Sequence, residues 1–479
     1  MVFNSFGFLA FIIPVVLLYW IFFRKSSRLQ NIMLLLSSIA FYIIGDWRFF
    51  ALLAISTLIN FYLGISIHNQ KNDKRKSLTL RLGVILNIGV LLYFKYFNFF
   101  ITELSELLNI VGLQSLDTLN IILPLGISFY TFQLLGYLID VYNEEVEANH
   151  SLIEFSVFVL FFPKILSGPI ERATNLLPQL QKVKEFKYEV FVDGLRQILW
   201  GLFAKVVIAE NCAALVDSVY ADYESQPGST LLIGAFFYAI QLYADFSGYS
   251  NMAIGVAKLF GVHLLRNFST PFFSVNIADY WRGWHISLTT WMMDYVFTPL
   301  SFMLRKYGRQ GLIISIVATF ILVGFWHGAN WTFVVYGLLH GLYFIPLVYA
   351  GKMNKSNDEL NGLIPSAIGL LKMLGLFLLI VLTDIFFRAP ELNDAFNYFE
   401  ILFSASLVER PDIMIGSTTN FTLLFMSIYF AVEWINKHKS HDFEISKAPL
   451  VVRWASYVTI FIAILIFGRS SETFIYFQF

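Results

Sequence analysis

Three histidines, His285, His327 and His340, fall between residues 279 and 341, in DYWRGWHISLTTWMMDYVFTPLSF and FWHGANWTFVVYGLLHG, together with five of the ten tryptophans. The whole chain has eight histidines in 479 residues, and the sequence around these three is otherwise fit for lipid. An ionisable side chain is costly at bilayer depth, so by default it faces a protein interior or a watery cavity and marks a functional site. An imidazole placed there can take a proton from a hydroxyl near neutral pH, which is the step that moving an acyl group onto an alcohol requires.

The three differ in setting. His327 follows the apolar run GLIISIVATFILVGF with no charged neighbour, and Gly324, Gly328 and Ala329 permit close backbone approach around it. It reads as a general base or as a neutral histidine hydrogen-bonded across a helix interface. Around His285, Trp281, Trp284, Leu288 and Trp291 share one helical stripe, while Asp279, Arg282 and His285 follow one another at i,i+3. This predicts one amphipathic helix, either interfacial with its tryptophans at headgroup level or aimed so that His285 lines a cavity from the cytoplasmic side. On a straight helix His340 would lie about 20 Å beyond His327 and be rotated by about 220°. The two cannot form a dyad unless Asn330-Trp331 breaks the helix, and His340 is expected to be structural.

Further polar groups sit inside apolar runs. YADFSGYS holds Asp245, Ser247, Tyr249 and Ser250, and Asp245 could orient a histidine, pair with Arg282 or form a structural ion pair. The candidate tunnel or donor contacts are Asp245, Ser247, Tyr249, Asp279, Arg282, Trp284 and Asn330. Asp384 and Arg388, at i,i+4, are expected to bond to each other. Gly168-Pro169 in KILSGPIER suits a cavity mouth or an ordinary turn. There is no GxSxG elbow, no Walker loop and no HxxxH or HExxH spacing, so no metal site is expected. Cys212, the one cysteine, excludes an intrachain disulfide and a cysteine-cluster metal site. With no evident nucleophile, direct attack of an acceptor hydroxyl on a thioester, with His327 as base, is the simpler chemistry.

The elements that must position these groups are membrane helices. Hydrophobic residues make up 57% of the chain and charged residues 14%, and the mean hydropathy is +0.66, which together with repeated long apolar runs define an all-α integral membrane protein. The 33 basic and 33 acidic residues cancel, leaving no net field for nucleic acid. Apolar runs at 6–23, 31–45, 49–67, 82–101, 119–139, 152–166, 197–215, 230–260, 313–323, 331–348, 364–387, 421–435 and 452–467 give eleven to thirteen expected membrane segments, some re-entrant. Arg24, Lys25 and Arg28 follow the first run, whereas Lys71, Lys74, Arg75, Lys76 and Arg81 lie two crossings later. Both loops are therefore expected in the cytoplasm, with the N-terminus outside. The polar stretch 171–187, with Arg172, Lys182, Lys184 and Lys187, is placed on the same side. Pro124 and Gly126 interrupt one run, and 350–361 and 438–447 read as loops. No soluble domain is evident, so residues 1–479 are expected to form one membrane domain.

FSGYSNMAIG, RNFSTPFFSVNIADYWRGWHISLTTWMMDYVFTPL and GFWHGANWTFVVYGLLHG resemble the signature blocks of membrane-bound O-acyltransferases, specifically the bacterial alginate O-acetylation branch. The resemblance extends to FNSFGFLAF, NFYLG, YFKYFNFF, LPLGISFYTFQLLGYLIDVY, FFPKILSGPIER, FFRAP and the terminal FIYFQF. It implies a multi-pass enzyme of the bacterial inner membrane, built around a central tunnel. An acyl group, most simply acetyl, passes from a cytoplasmic thioester donor, acetyl-coenzyme A or an acylated carrier protein, to an acceptor at the outer face. No permanently bound cofactor is implied. The resemblance implies His327 as the essential residue and His285 as the second candidate. It also implies membrane lipid around the protein, an extracytoplasmic acetyltransferase partner and a polysaccharide acceptor. Gly283 and Asn251 depart from the pattern, where arginine and aspartate are frequent. The alternatives are D-alanyl transfer toward teichoic acid, a solute transporter and a scaffold for an export complex; the absence of repeated halves weighs against transport.

Overall fold

The computed structural model describes residues 2–353, 365–412 and 417–469. The terminal FIYFQF block and residues 354–361 of the expected polar loop lie outside the described residues. The described residues are helices joined by turns, without strands. That is what lipid demands, because a helix satisfies its own backbone hydrogen bonds. The chain divides into two compact units.

Unit 1 comprises Met1–Gly194 and Val256–Leu265. It holds α1 (Phe6–Phe22), α2 (Ser27–Asp46), α3 (Phe50–Asn69), α4 (Asp73–Leu91), α5 (Phe97–Ile110), α6 (Ile127–Tyr142), α7 (Leu152–Leu160) and α8 (Ala173–Leu180). The polar break Asp46-Trp47-Arg48 separates α2 from α3, as its composition predicts. The Asp46 carboxylate accepts the Arg48 backbone N–H at 3.2 Å and both guanidinium arms at 2.8 and 2.9 Å. Facing Asn60 on α3 and Asn87 on α4 exchange amide hydrogen bonds at 2.8 and 3.2 Å, the polar contact that holds two helices together where apolar packing alone gives no preference.

The expected span 119–139 is corrected. Its helix begins only at Ile127, because Gly126 adopts a left-handed conformation (φ 70°) against the Ile165 carbonyl, where a Cβ would collide. The run 152–166 is likewise helical only to Leu160.

Unit 2 comprises Leu195–Gly255 and Arg266–Phe479. It takes in most of α9 (Tyr188–Phe203) and α11 (Gly228–Leu259), with α10 (Glu210–Ala221) between them. The short α12 (Ile277–Gly283), α13 (Ile286–Met292) and α14 (Thr298–Met303) follow, then α15 (Gly308–His327), α16 (Trp331–Tyr343) and α17 (Ile345–Ala350). The remaining helices are α18 (Ala367–Arg388), α19 (Leu392–Leu402), α20 (Ser417–Asn436) and α21 (Leu450–Phe467).

Eight helical stretches among the described residues are long and apolar enough to cross a membrane: Ser27–Asn69, Asp73–Ile110, Tyr188–Ala221, Gly228–Leu259, Arg305–His327, Trp331–Ala350, Ala367–Arg388 and Leu450–Phe467. This makes the chain a multi-pass membrane protein. The count is lower than eleven to thirteen partly because the expected spans 31–45 and 49–67 lie in one 43-residue stretch, bent at the Asp46 break. At 1.5 Å per residue that stretch is about 65 Å long, twice the hydrocarbon thickness.

α15 and α16 touch almost backbone to backbone. A Cβ on Gly324 would strike the Phe333 carbonyl, one on Gly337 the Phe320 carbonyl, and one on Gly341 would lie 2.9 Å from the Val317 Cα. Gly337 and Gly341 form a GxxxG pair, the pattern that lets membrane helices approach closely. We predict that Gly337→Val lowers stability by about 1–3 kcal/mol through overpacking, read as a lower thermal midpoint of the detergent-purified protein. An unchanged midpoint would contradict this contact.

Candidate active site

His327 is the last residue of α15. The helix stops because Gly328 turns extended and Asn330 starts a new one, its side chain accepting the Thr332 N–H at 3.0 Å to cap α16. The Asn330 amide also donates to the Pro390 carbonyl at 2.7 Å, fixing the turn from a second side. His327 is 4% exposed. Its ring centroid lies 5.0 Å from those of Trp326 and Phe387 and 6.3 Å from that of Tyr336.

The helix therefore does break, over Gly328–Asn330 with α16 starting at Trp331, which brings His340 back toward His327. The two rings share Tyr336 as a neighbour, 4.4 Å from His340. Fully buried His340 also receives a hydrogen bond at Nδ1 from Trp281 Nε1 at 3.2 Å.

His285 corrects the single-helix expectation for its stretch. It sits between α12 and α13 in a left-handed conformation (φ 42°, ψ 53°), which is uncommon for a residue with a side chain. Its Nδ1 accepts the Leu288 N–H at 3.3 Å, so the imidazole caps α13. Asn267 supports this corner: its carbonyl accepts the Ile286 N–H at 2.8 Å, and its side chain accepts from the Ser287 hydroxyl at 2.9 Å and donates to Ser250 at 3.0 Å. Buried His285 packs edge-on against Phe246 at 4.7 Å and Trp326 at 5.9 Å. Trp326 thus contacts both His285 and His327, and the three histidines share one aromatic cluster.

The interfacial reading of the tryptophans is also corrected. Trp281, Trp284 and Trp291 are all buried, and Trp284 stacks on Tyr280 at 5.5 Å. Of the charged face, Arg282 donates to Asp279 at 2.6 Å and to the Met353 carbonyl. Burial raises the Asp279 pKa above the usual carboxylate range, opposed by the Arg282 charge and by hydrogen bonds from Asn276 and Arg282.

Asp245 pairs with Lys205, not with Arg282. The Lys205 ammonium, 2.5 Å from Asp245 and 3.2 Å from Glu210, sits in a widened helical turn, Ala204–Ala209. Sequence reasoning missed Lys205, although one lysine inside the apolar run 197–215 and one aspartate inside another were a legible charge match. The YADFSGYS side chains diverge: Ser247 meets the Tyr429 hydroxyl at 3.1 Å, Tyr249 is buried, and Phe246 and Ser250 are the members that reach the His285 corner. The expected Asp384–Arg388 pair is corrected too, since Arg388 binds Asp217 at 3.2 Å. Among the described residues no group of three His, Cys, Asp or Glu is placed to hold a metal ion.

A cavity of about 170 Å³ lies beside the cluster, lined by residues that include Trp281, Arg282, Leu288, Met292, Val323 and Phe344. Its wall touches the histidines indirectly: Trp281 bonds His340, and the Leu288 N–H bonds His285.

Three buried histidines thus share one aromatic cluster within a multi-pass helical protein. The chain belongs to the membrane-bound O-acyltransferase (MBOAT) family, whose family model matches residues 39–383, and it is accordingly an O-acyltransferase. It is 36% identical over 411 residues to the probable alginate O-acetylase AlgI of Pseudomonas aeruginosa, covering 84% of this chain and 75% of that protein. It is 30% identical to the peptidoglycan O-acetyltransferase of Helicobacter pylori over an alignment of 526 positions, covering 100% of this chain and 98% of the relative. The teichoic acid D-alanyltransferase of Bacillus subtilis is 31% identical over 245 residues, 49% of this chain.

Two predictions come from this geometry. Lys205→Met strands two carboxylates in an apolar setting and should cost about 3–5 kcal/mol, seen as a large drop in thermal midpoint or failure to accumulate. His285→Asn, which tolerates the left-handed conformation and can cap a helix, should keep the midpoint near that of the parent, while His285→Ala loses about 1 kcal/mol. Equal midpoints for the two His285 variants would remove the capping role.

Proposed function

We infer that this protein moves an acetyl group from a cytoplasmic thioester donor, acetyl-coenzyme A or an acylated carrier protein, across the bacterial inner membrane for O-acetylation of a cell-surface or exported polysaccharide. The observation that carries the reading is His327, buried at the broken end of α15 among Trp326, Tyr336 and Phe387. A neutral imidazole in that setting can take the acceptor hydroxyl proton while the hydroxyl oxygen attacks the thioester carbonyl. The C–S bond then breaks, and the proton goes to the departing thiolate, so the products are an ester and a thiol. His285 is the second candidate for contact with the reacting groups, held in place by Asn267 and Trp326.

The small cavity supports a short acyl group. At about 170 Å³ it falls below the roughly 300–1,000 Å³ of pockets for larger ligands. Asp279, Arg282, Trp284 and Asn330 serve as candidate contacts along the donor path, whereas Asp245, Ser247 and Tyr249 support the helices behind it. The names of the relatives, an alginate O-acetylase and a peptidoglycan O-acetyltransferase, favour a glycan acceptor, reached directly or through an extracytoplasmic acetyltransferase partner.

The test is His327→Ala in the native host, with membrane levels of the protein measured alongside ester-linked groups on surface glycans by mass spectrometry. We expect O-acetyl content to fall at least about 100-fold, as loss of a general base predicts. Full O-acetylation at normal protein level would overturn the reading. Loss of D-alanyl esters with O-acetyl groups intact would replace the acetyl donor with a D-alanyl one.

A further inference from the structure

Unit 1 carries a cavity of about 330 Å³ where three of its segments meet. These are Trp20 in the last turn of α1, residues 178–191 from the end of α8 into α9, and residues 258–263 at the end of α11. Lys182, Lys184, Lys187, Lys258 and His263 line it, against one lining carboxylate, Glu185. Lys258 has a counterion of its own, Asp193 at 2.6 Å.

The backbone beneath these cations is braced from within. Gln30 on α2 accepts the Lys184 N–H at 2.8 Å and donates to the Lys184 carbonyl at 3.0 Å, and Asn31 donates to the Leu180 carbonyl at 2.8 Å. Both amides are buried, at 1% and 3% exposure. Gln179 accepts the His263 N–H at 2.9 Å and donates to its carbonyl at 2.8 Å, and Trp20 Nε1 donates to the Leu259 carbonyl at 2.8 Å. A merely solvated lysine loop would not need four side chains to set its path.

The fixed geometry also crowds like charges. Burial lowers the Lys184 pKa to about 8, and Lys182 adds to the effect. His263 is lowered first by its own burial and then by the charges of Lys258, Lys184 and Lys187, while Asp193 opposes them. Such an arrangement is unfavourable alone and becomes favourable once an anion occupies it.

We propose that this cavity binds a phosphate ester, its charge met by Lys182, Lys184 and Lys187. Lysine is a point-charge binder of phosphate, and three ammonium groups around one cavity match a tetrahedral anion without requiring the paired geometry of arginine. Two sources share this chemistry: the headgroup of an anionic phospholipid and a soluble phosphate ester. The surroundings favour the lipid, because Leu17, Leu18, Ile21 and Phe22 are exposed along α1 next to Trp20 and can receive acyl chains. Basic pockets at the cytoplasmic ends of membrane helices take anionic headgroups, and residues 171–187 carry the positive charge expected on that side. The proposal does not depend on the acyl-transfer reading.

The experiment uses the purified full chain and the double variant Lys182→Gln with Lys187→Gln, both positions being exposed. One arm counts phosphatidylglycerol retained by native mass spectrometry from phosphatidylcholine nanodiscs doped with it. The other titrates adenosine 3′,5′-bisphosphate by calorimetry in neutral detergent. A Lys71→Gln, Lys74→Gln control removes the same charge from the exposed segment that opens α4. We expect the double variant to weaken binding at least about tenfold with an unchanged thermal midpoint, while the control binds like the parent. Lysine-dependent retention of phosphatidylglycerol establishes the lipid source, and lysine-dependent binding of the bisphosphate establishes the soluble one. Absence of both, or equal weakening by the control, overturns the proposal.

Discussion

The histidine cluster depends on how closely α15 and α16 can approach. In lipid there is no hydrophobic force to press two helices together, so the contact must come from shape, and here it comes from Gly324, Gly337 and Gly341, each against backbone of the facing helix. That approach lets a three-residue turn join the two helices, and the turn is where His327 emerges. Gly328 contributes twice: its extended backbone ends α15, and its missing side chain leaves room for the Phe333 ring. Bulk at any of these positions would separate the helices and move His327 away from Tyr336 and Phe387.

Around that turn the protein positions imidazoles with aromatic rings as well as hydrogen bonds. Trp326 lies between His285 and His327, and Tyr336 between His327 and His340. Rings are large and stiff, with few rotamers to freeze, so they set the place of a neighbour without adding charge. His340 is oriented by a direct bond from Trp281, and His285 by its own cap to Leu288, which fixes Nδ1 as an acceptor and leaves the proton on Nε2 in the neutral ring.

Much of this was legible in the sequence. Apolar run lengths gave the membrane class, the glycines flanking His327 foretold close packing, and the WHG and WHISL blocks carried the family. What was not legible was local backbone geometry. Trp281, Trp284, Leu288 and Trp291 share a helical stripe on paper, yet the helix breaks at His285, where the Asn267 carbonyl supplies an alternative partner for the Ile286 N–H from far back in the chain. A periodicity argument assumes one continuous helix and cannot see such a bond. Gly126 hid the same kind of event: an apolar run of spanning length begins as irregular chain because the Ile165 carbonyl occupies the space beside it. Pairing between distant charges was equally invisible: the sequence leaves Asp245 open to orienting a histidine, pairing with Arg282 or forming a structural ion pair, and its partner is Lys205 in another run.

The placement of Lys205 explains why Asp245 is a weak choice as an orienter of histidine. A carboxylate can raise the basicity of an imidazole only if its charge is available to it, and Asp245 shares one buried ammonium with Glu210. Withdrawing it toward an imidazole would leave Lys205 with less compensation in an apolar setting, a cost of several kcal/mol. The ion cluster is therefore best understood as a strut between the widened turn at Ala204–Ala209 and α11, and what it holds in register is the opposite side of α11, where Phe246 and Ser250 reach the His285 corner. Charge therefore lies behind the site and rings lie within it, so the imidazoles are placed by packing and by neutral hydrogen bonds, with no ion pair among the contacts described above.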